Sequence, residues 1–215
     1  MILDTLGMFD AAAAFPEQLA RALDVSRVAL ENASLPAHDD IANIVLLGAG
    51  AAGQAGAIVL EAVGPTISVP IVVHRGYGVP NFADASTLVI ALSFDGDTTE
   101  TFEAAQNARA DGASVVCVSG GGALHGWAKS NGLIHLPVTL DVPVERAALG
   151  ALSVPVLLLL ERLGFYLGAE AWIELAIAQS TVRRNELFDL VLISAVWMHL
   201  NRQQREAAMV SVRKL

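Results

Sequence analysis

Ser86-Thr-Leu-Val-Ile-Ala-Leu-Ser-Phe-Asp-Gly-Asp-Thr-Thr-Glu-Thr101 runs from an unbroken apolar segment into a hydroxyl- and glycine-rich turn, and from there into helix-forming residues. An apolar run without alternation is the pattern of a strand covered on both faces. The turn that follows can aim backbone N–H groups and hydroxyls at one point, and the first helical turn adds its partial positive charge there. Such a strand–turn–helix unit is suited to holding an anion. Thr98 is placed to be the helix N-cap, with Glu100 and Thr101 in the first turn.

Outward from this unit, apolar runs of strand length alternate with helical stretches. Strands are predicted at 41–47, 69–73, 88–92, 114–118 and 133–136, with helices at 51–63, 98–110 and 122–130. Five such runs with helical crossovers predict an α/β three-layer sandwich built on a five-stranded parallel sheet. Ligands of such sheets sit beyond the carboxyl ends of the strands. The first forty residues form a helical N-terminal arm, with Phe15, Leu19, Leu23, Val28 and Leu30 near helical spacing and an end at Ser34-Leu-Pro36. Helical pattern resumes over 147–163 and from 170 onward. The expected division is an arm at 1–40, a ligand-binding domain at 41–165 and a helical extension at 166–215. No strand–turn–helix unit repeats within the chain.

Composition narrows the function. The chain has 215 residues, 54% hydrophobic and 16% charged, so a large core is assured. A net charge of −9 leaves no basic stripe for nucleic acid. A small anion is still compatible, because backbone dipoles bind it without net positive charge. The single cysteine, Cys117, lies in an apolar run and reads as a buried thiol of a reducing compartment. No basic segment precedes an apolar leader, and neither 154–160 nor 187–200 approaches the ~20 apolar residues of a membrane span. The expectation is a cytoplasmic protein with no membrane partner.

A second glycine-rich turn, Gly48-Ala-Gly50-Ala-Ala-Gly53, matches the G-x-G-x-x-G spacing between strand and helix. A dinucleotide site needs an acid about 20 residues on, for the ribose hydroxyl. This chain offers His74 and Arg75 there. Arg75 suits a 2′-phosphate, so an NADP-dependent oxidoreductase is one reading; close packing of helix on sheet is the other. A dinucleotide fold, however, has no use for a hydroxyl-rich anion loop at 93–101.

Taken in order, the Gly48 turn, His74-Arg-Gly-Tyr-Gly-Val-Pro80, the 93–101 turn, Ser119-Gly-Gly-Gly122 and Glu145-Arg-Ala-Ala-Leu-Gly150 resemble the sugar isomerase (SIS) family. The resemblance is specifically to the bifunctional phosphoglucose/phosphomannose isomerases and their actinobacterial relatives, over roughly residues 40–165. The 93–101 turn is similar to the family's S-x-S-G-x-T-x-E-T loop, and Glu145–Gly150 to its P-R-A-A-L-G segment.

The resemblance implies phosphosugar binding at Ser93, Gly96 and Thr98 of the loop, with Gly50 and Ala52 in the first turn and Ser119 lining the site. It also implies a catalytic role for Arg146. The reaction implied is an aldose–ketose isomerisation, with no metal and no cofactor, in a homodimer. Three positions depart from the family pattern. Asp95 replaces the loop's second serine, Ala52 stands where the first turn carries serine, and Glu145 precedes Arg146 where proline is usual. The family's catalytic Glu and His lie in or around a second SIS domain not found in these residues.

Asp95 bears directly on affinity. A carboxylate about 4 Å from a phosphate costs ~4 kcal/mol at an effective dielectric near 20, roughly a thousandfold in binding. The alternative is that Asp95 turns away and serves the helix N-terminus. The sequence therefore leaves an isomerase homologue and a noncatalytic sugar-phosphate sensor or structural subunit in competition. Helices around 152–163 and 187–200 carry apolar surface expected to serve the dimer. His125, His135 and His199 are expected to be structural, and Trp127, Trp172 and Trp197 to be packing residues.

Overall fold

A computed structural model of the protein describes residue 4 and residues 6–182. Five parallel strands form one sheet: β1 Asn43–Leu47, β2 Ile71–His74, β3 Thr87–Ser93, β4 Ser114–Ser119 and β5 Ile134–Pro137. Their spatial order is β2-β1-β3-β4-β5. After β1 the chain crosses to one side to lay down β2, then returns to the other side of β1 for β3. The order thus reverses between β1 and β3, which makes the crevice above their carboxyl ends the topological switch point. Both glycine-rich turns, one after each of these strands, open onto it.

The described residues also form seven α-helices, most of them packed about the sheet: α1 Met8–Ala13, α2 Phe15–Leu30, α3 Gly50–Val63, α4 Thr99–Ala110, α5 Gly122–Ser130, α6 Leu149–Arg162 and α7 Ala169–Val182. Side chains alternate across the pleat, so the central strands β1, β3 and β4 feed two cores. Ile44, Leu46, Leu88, Ile90, Leu92, Val116, Val118 and Leu136 pack with α2, α3, α6 and α7. Val45, Leu47, Val89, Ala91, Val115 and Cys117 pack with Ala104, Ala105 and Ala108 of α4 and with Leu124 and Ala128 of α5. The small side chains of α4 let that helix lie close to the strands. The three-layer α/β architecture predicted from the apolar runs is the one observed.

Two expectations need correction. Val28 is 69% exposed; the buried stripe of α2 runs instead through Gln18, Ala22, Leu23, Ser26 and Leu30. The 152–163 helix does not present apolar surface to a second copy. Gly150 to Leu160 of α6 are all buried, wrapped by α2, α3 and α7, because this helix forms the centre of the second layer. Residues 187–200, assigned to the same interface, lie outside the described residues, as do His199 and Trp197.

The amino-terminal end of α6 is held by a side chain far away in sequence. Gln18 of α2 is buried, and its amide donates to the Ala147 carbonyl at 2.8 Å and accepts the Ala151 N–H at 3.0 Å. The Ala151 N–H is one that a helix start leaves unpaired, and the Ala147 carbonyl closes the short 3-10 turn just before the helix. Arg27 ties α2 to α7 through Glu170 at 2.6 Å and through Glu174. Among the described residues no helix is long and apolar enough to cross a membrane.

Candidate functional site

The turn after β3 is knitted by its own side chains. Ser93 Oγ accepts the Gly96 N–H at 3.0 Å and lies 2.9 Å from Thr98 Oγ1. Asp95 Oδ1 accepts the Asp97 N–H at 2.9 Å and the Ser93 hydroxyl at 3.4 Å. Thr98 is the N-cap residue of α4, as expected, but its hydroxyl caps no helix N–H; it is engaged by Ser93. Gly96 and Asp97 are the turn's obvious donors toward an anion, and the protein already fills both. The Ser93 hydroxyl and the exposed Asp95 carboxylate are what take them.

A second turn locks against the first. Gly120 N–H donates to Phe94 O and Leu124 N–H to Gly96 O, both at 2.9 Å. Asp97 Oδ1 accepts the Ala123 N–H at 2.8 Å and so caps α5. Gly96 sits at φ +90°, and a Cβ there would run into the Gly121 carbonyl. Only glycine gives both the backbone conformation and the close approach. Of the two loop acids, Asp97 is committed to α5 and Asp95 to the loop.

The first glycine turn is a packing device as much as a ligand loop. A side chain at Gly53 would strike the Gly48 carbonyl and Arg75. Arg75, the residue offered to a 2′-phosphate, donates instead to the Gly53 carbonyl at 3.0 Å. Gly50 begins α3, and Ala52 is buried one turn in. A Cβ on Gly50 would lie 3.1 Å from Glu145 Oε1. The structure therefore brings the Glu145–Ala147 3-10 turn, with exposed Arg146, to the start of α3.

Ser119 ends β4 in register with Ser93, so both hydroxyls lie on the α4–α5 face of the sheet. Ser119 Oγ donates to the Gly121 carbonyl at 3.0 Å and meets His135 Nε2 at 2.9 Å. His135 Nδ1 lies 3.1 Å from Nδ1 of His125 on α5. Burial, and secondarily the neighbouring His125, push the His135 pKa down to about 4, so its imidazole is neutral near pH 7. This Ser–His–His chain was invisible to spacing arguments, because ten residues and a crossover separate the two histidines. Burial likewise pushes the Cys117 thiol up to about 12, in keeping with its reading as an inert strand residue. Trp127 packs edge-on against Phe102, as a packing residue should, whereas Trp172 is 49% exposed.

Comparison with known proteins agrees with this fold. The chain is 34% identical over 159 residues to a bifunctional phosphoglucose/phosphomannose isomerase of Caldicellulosiruptor bescii, an alignment covering 73% of this chain and 45% of that protein. The fold is shared with a proposed phosphosugar isomerase of Silicibacter pomeroyi DSS-3, at TM-score 0.60 and 19% identity over 87% of this chain and 60% of the other. The chain carries a sugar isomerase (SIS) domain. The C-terminal domain of glucosamine-fructose-6-phosphate aminotransferase from Francisella tularensis has the same fold, at TM-score 0.60 and 14% identity over 88% of this chain and 57% of that one. No protein-family model matches the chain. The SIS domain spans less than half the length of the curated relative, so that enzyme's whole activity does not transfer with the alignment.

Proposed function

We propose that the chain is a phosphosugar-binding SIS protein of the phosphoglucose/phosphomannose isomerase type. Its phosphate site is formed by Ser93, Gly96, Thr98 and the amino-terminal turn of α4, and the 3-10 turn that carries Arg146 adjoins the start of α3 at Gly50. The observation that carries this reading is the convergence of the two glycine-rich turns at the β1–β3 switch point. Ser93, Gly96 and Thr98 also share one hydrogen-bonded cluster there.

A noncatalytic sugar-phosphate sensor is the second reading, and Asp95 favours it. An incoming phosphate must displace that carboxylate from the Asp97 N–H, which weakens binding, and isomerisation also needs a base within hydrogen-bond reach of the substrate proton. The exposed side chains of Leu167, Trp172 and Leu175 support pairing of two copies, and a reducing, cytoplasmic setting suits the lone buried thiol.

Calorimetric titration with glucose 6-phosphate and with free glucose tests the binding claim; equal or absent heats for both overturn it. A coupled assay with fructose 6-phosphate and mannose 6-phosphate separates the readings. Turnover in the usual enzyme range of about 1–10³ per second would establish the isomerase and retire the sensor. Light scattering at micromolar concentration reads the oligomer, and a chain mass of one copy would remove the dimer.

A further inference from the structure

We propose that His125 and His135 form a two-imidazole site for a divalent transition-metal ion, held from behind by Ser119. Their Nδ1 atoms lie 3.1 Å apart. Two nitrogens bound at 2.0–2.1 Å in adjacent positions of a tetrahedral or square-planar ion are separated by about 2.9–3.4 Å. The observed spacing falls inside that window, so the two nitrogens already stand at the separation that one ion requires.

The hydrogen bonds set the tautomers. Ser119 has one hydroxyl proton and donates it to the Gly121 carbonyl, so the contact at 2.9 Å is His135 Nε2–H donating to Ser119 Oγ. The His135 Nδ1 lone pair then faces His125, whose Nδ1–H occupies the space between the rings. An arriving ion takes the place of that proton, which moves to His125 Nε2 at the exposed edge of α5. Both Nδ1 atoms become ligands, and Ser119 supplies the outer hydrogen bond that fixes a ligating histidine.

Among the described residues no third His, Cys, Asp or Glu joins the pair, so water fills the remaining positions. Imidazole ligands of this kind favour Cu²⁺ over Ni²⁺ and Zn²⁺. The inference shares Ser119 with the sugar-lining role that the family resemblance implies, but its test reads metal binding alone.

The test is titration of the full chain with Cu²⁺ by calorimetry, with electron paramagnetic resonance of the loaded protein. The wild type should take up one more equivalent than His125→Gln, with nitrogen couplings that the variant lacks. Ser119→Ala should weaken that equivalent roughly tenfold or more, whereas His38→Gln should leave it unchanged. His125 is exposed, so its replacement leaves folding intact, and melting curves of metal-free protein verify this. Identical stoichiometry and spectra for wild type and His125→Gln would overturn the site and reduce the pair to a hydrogen bond.

Discussion

Asp95 Oδ1 accepts the backbone N–H of Asp97 at 2.9 Å, so the carboxylate holds a donor that an anion-binding turn would otherwise offer its ligand. Ser93 gives a second, longer hydrogen bond to the same oxygen. Charge and occupancy therefore oppose a phosphate together, and substitution can separate them.

Asp95→Ser should strengthen binding of glucose 6-phosphate by one to three orders of magnitude, up to the ~4 kcal/mol of a removed like charge. Asp95→Asn keeps an oxygen acceptor for the Asp97 N–H and removes only the charge, so it should recover part of the gain. Adding Ser at position 52 should help further, though not additively if both groups reach one phosphate. Unchanged affinity in Asp95→Ser, together with a lower melting temperature, would show that the loop closes on itself and holds no phosphate.

Gly96→Ala should be among the most damaging single changes in the chain. The φ of +90° costs an L-residue about 1–3 kcal/mol, and the new methyl would meet the Gly121 carbonyl. Because the 93–98 and 119–124 turns are bonded to each other, both should loosen. Urea denaturation gives the stability loss, and hydrogen exchange at Leu124 reports the opening of its bond to Gly96.

Gln18→Ala should lower stability by about 2–3 kcal/mol, since a buried group left without its partner costs roughly 1–3 kcal/mol and the substitution strands two, the Ala147 carbonyl and the Ala151 N–H. It should also weaken sugar-phosphate binding if Arg146 contributes, because the same clamp positions the 3-10 turn that carries it. A stability change within 0.5 kcal/mol, the range of about ±0.5 seen for neutral surface changes, would show that water replaces the amide.

Asp84 sets a pH dependence at the entry to β3. Its carboxylate accepts the Ser86 hydroxyl and N–H at 2.6 and 2.8 Å, and these bonds hold its pKa below 3.8. A carboxyl group more acidic in the folded than in the unfolded chain adds stability above the unfolded value, and loses it as pH falls through the folded one. The melting temperature of wild type should thus exceed that of Asp84→Asn near neutrality, with the gap closing as pH drops below about 4. A gap independent of pH would assign the effect to shape rather than charge.

The parallel sheet was legible because its evidence is local. Leu88–Leu92 and Ser114–Val118 carry apolar residues on both pleat faces, which only a strand enclosed by two layers of helices requires. The turn at 93–101 was legible for the same reason, since glycine, hydroxyls and an N-cap residue are adjacent in the chain. Val28 misled because it is apolar, yet it falls five residues after Leu23 and so off the stripe, while the packing of α2 on α6 selects Ala22, Ser26 and Leu30.

The sequence by itself determined the order of strands and helices, the two glycine-rich turns and the covered faces of the strands, all of which follow from residues close along the chain. Only the tertiary structure decided the β2-β1-β3-β4-β5 order that sets both turns at one switch point, and the internal satisfaction of the loop by Asp95. Only it joined Gln18 to Ala147 and Ala151, and His125 to His135 and Ser119. These are relations between elements, and they arise when packing of the two cores fixes which helix face and which strand end meet, a choice no local pattern encodes.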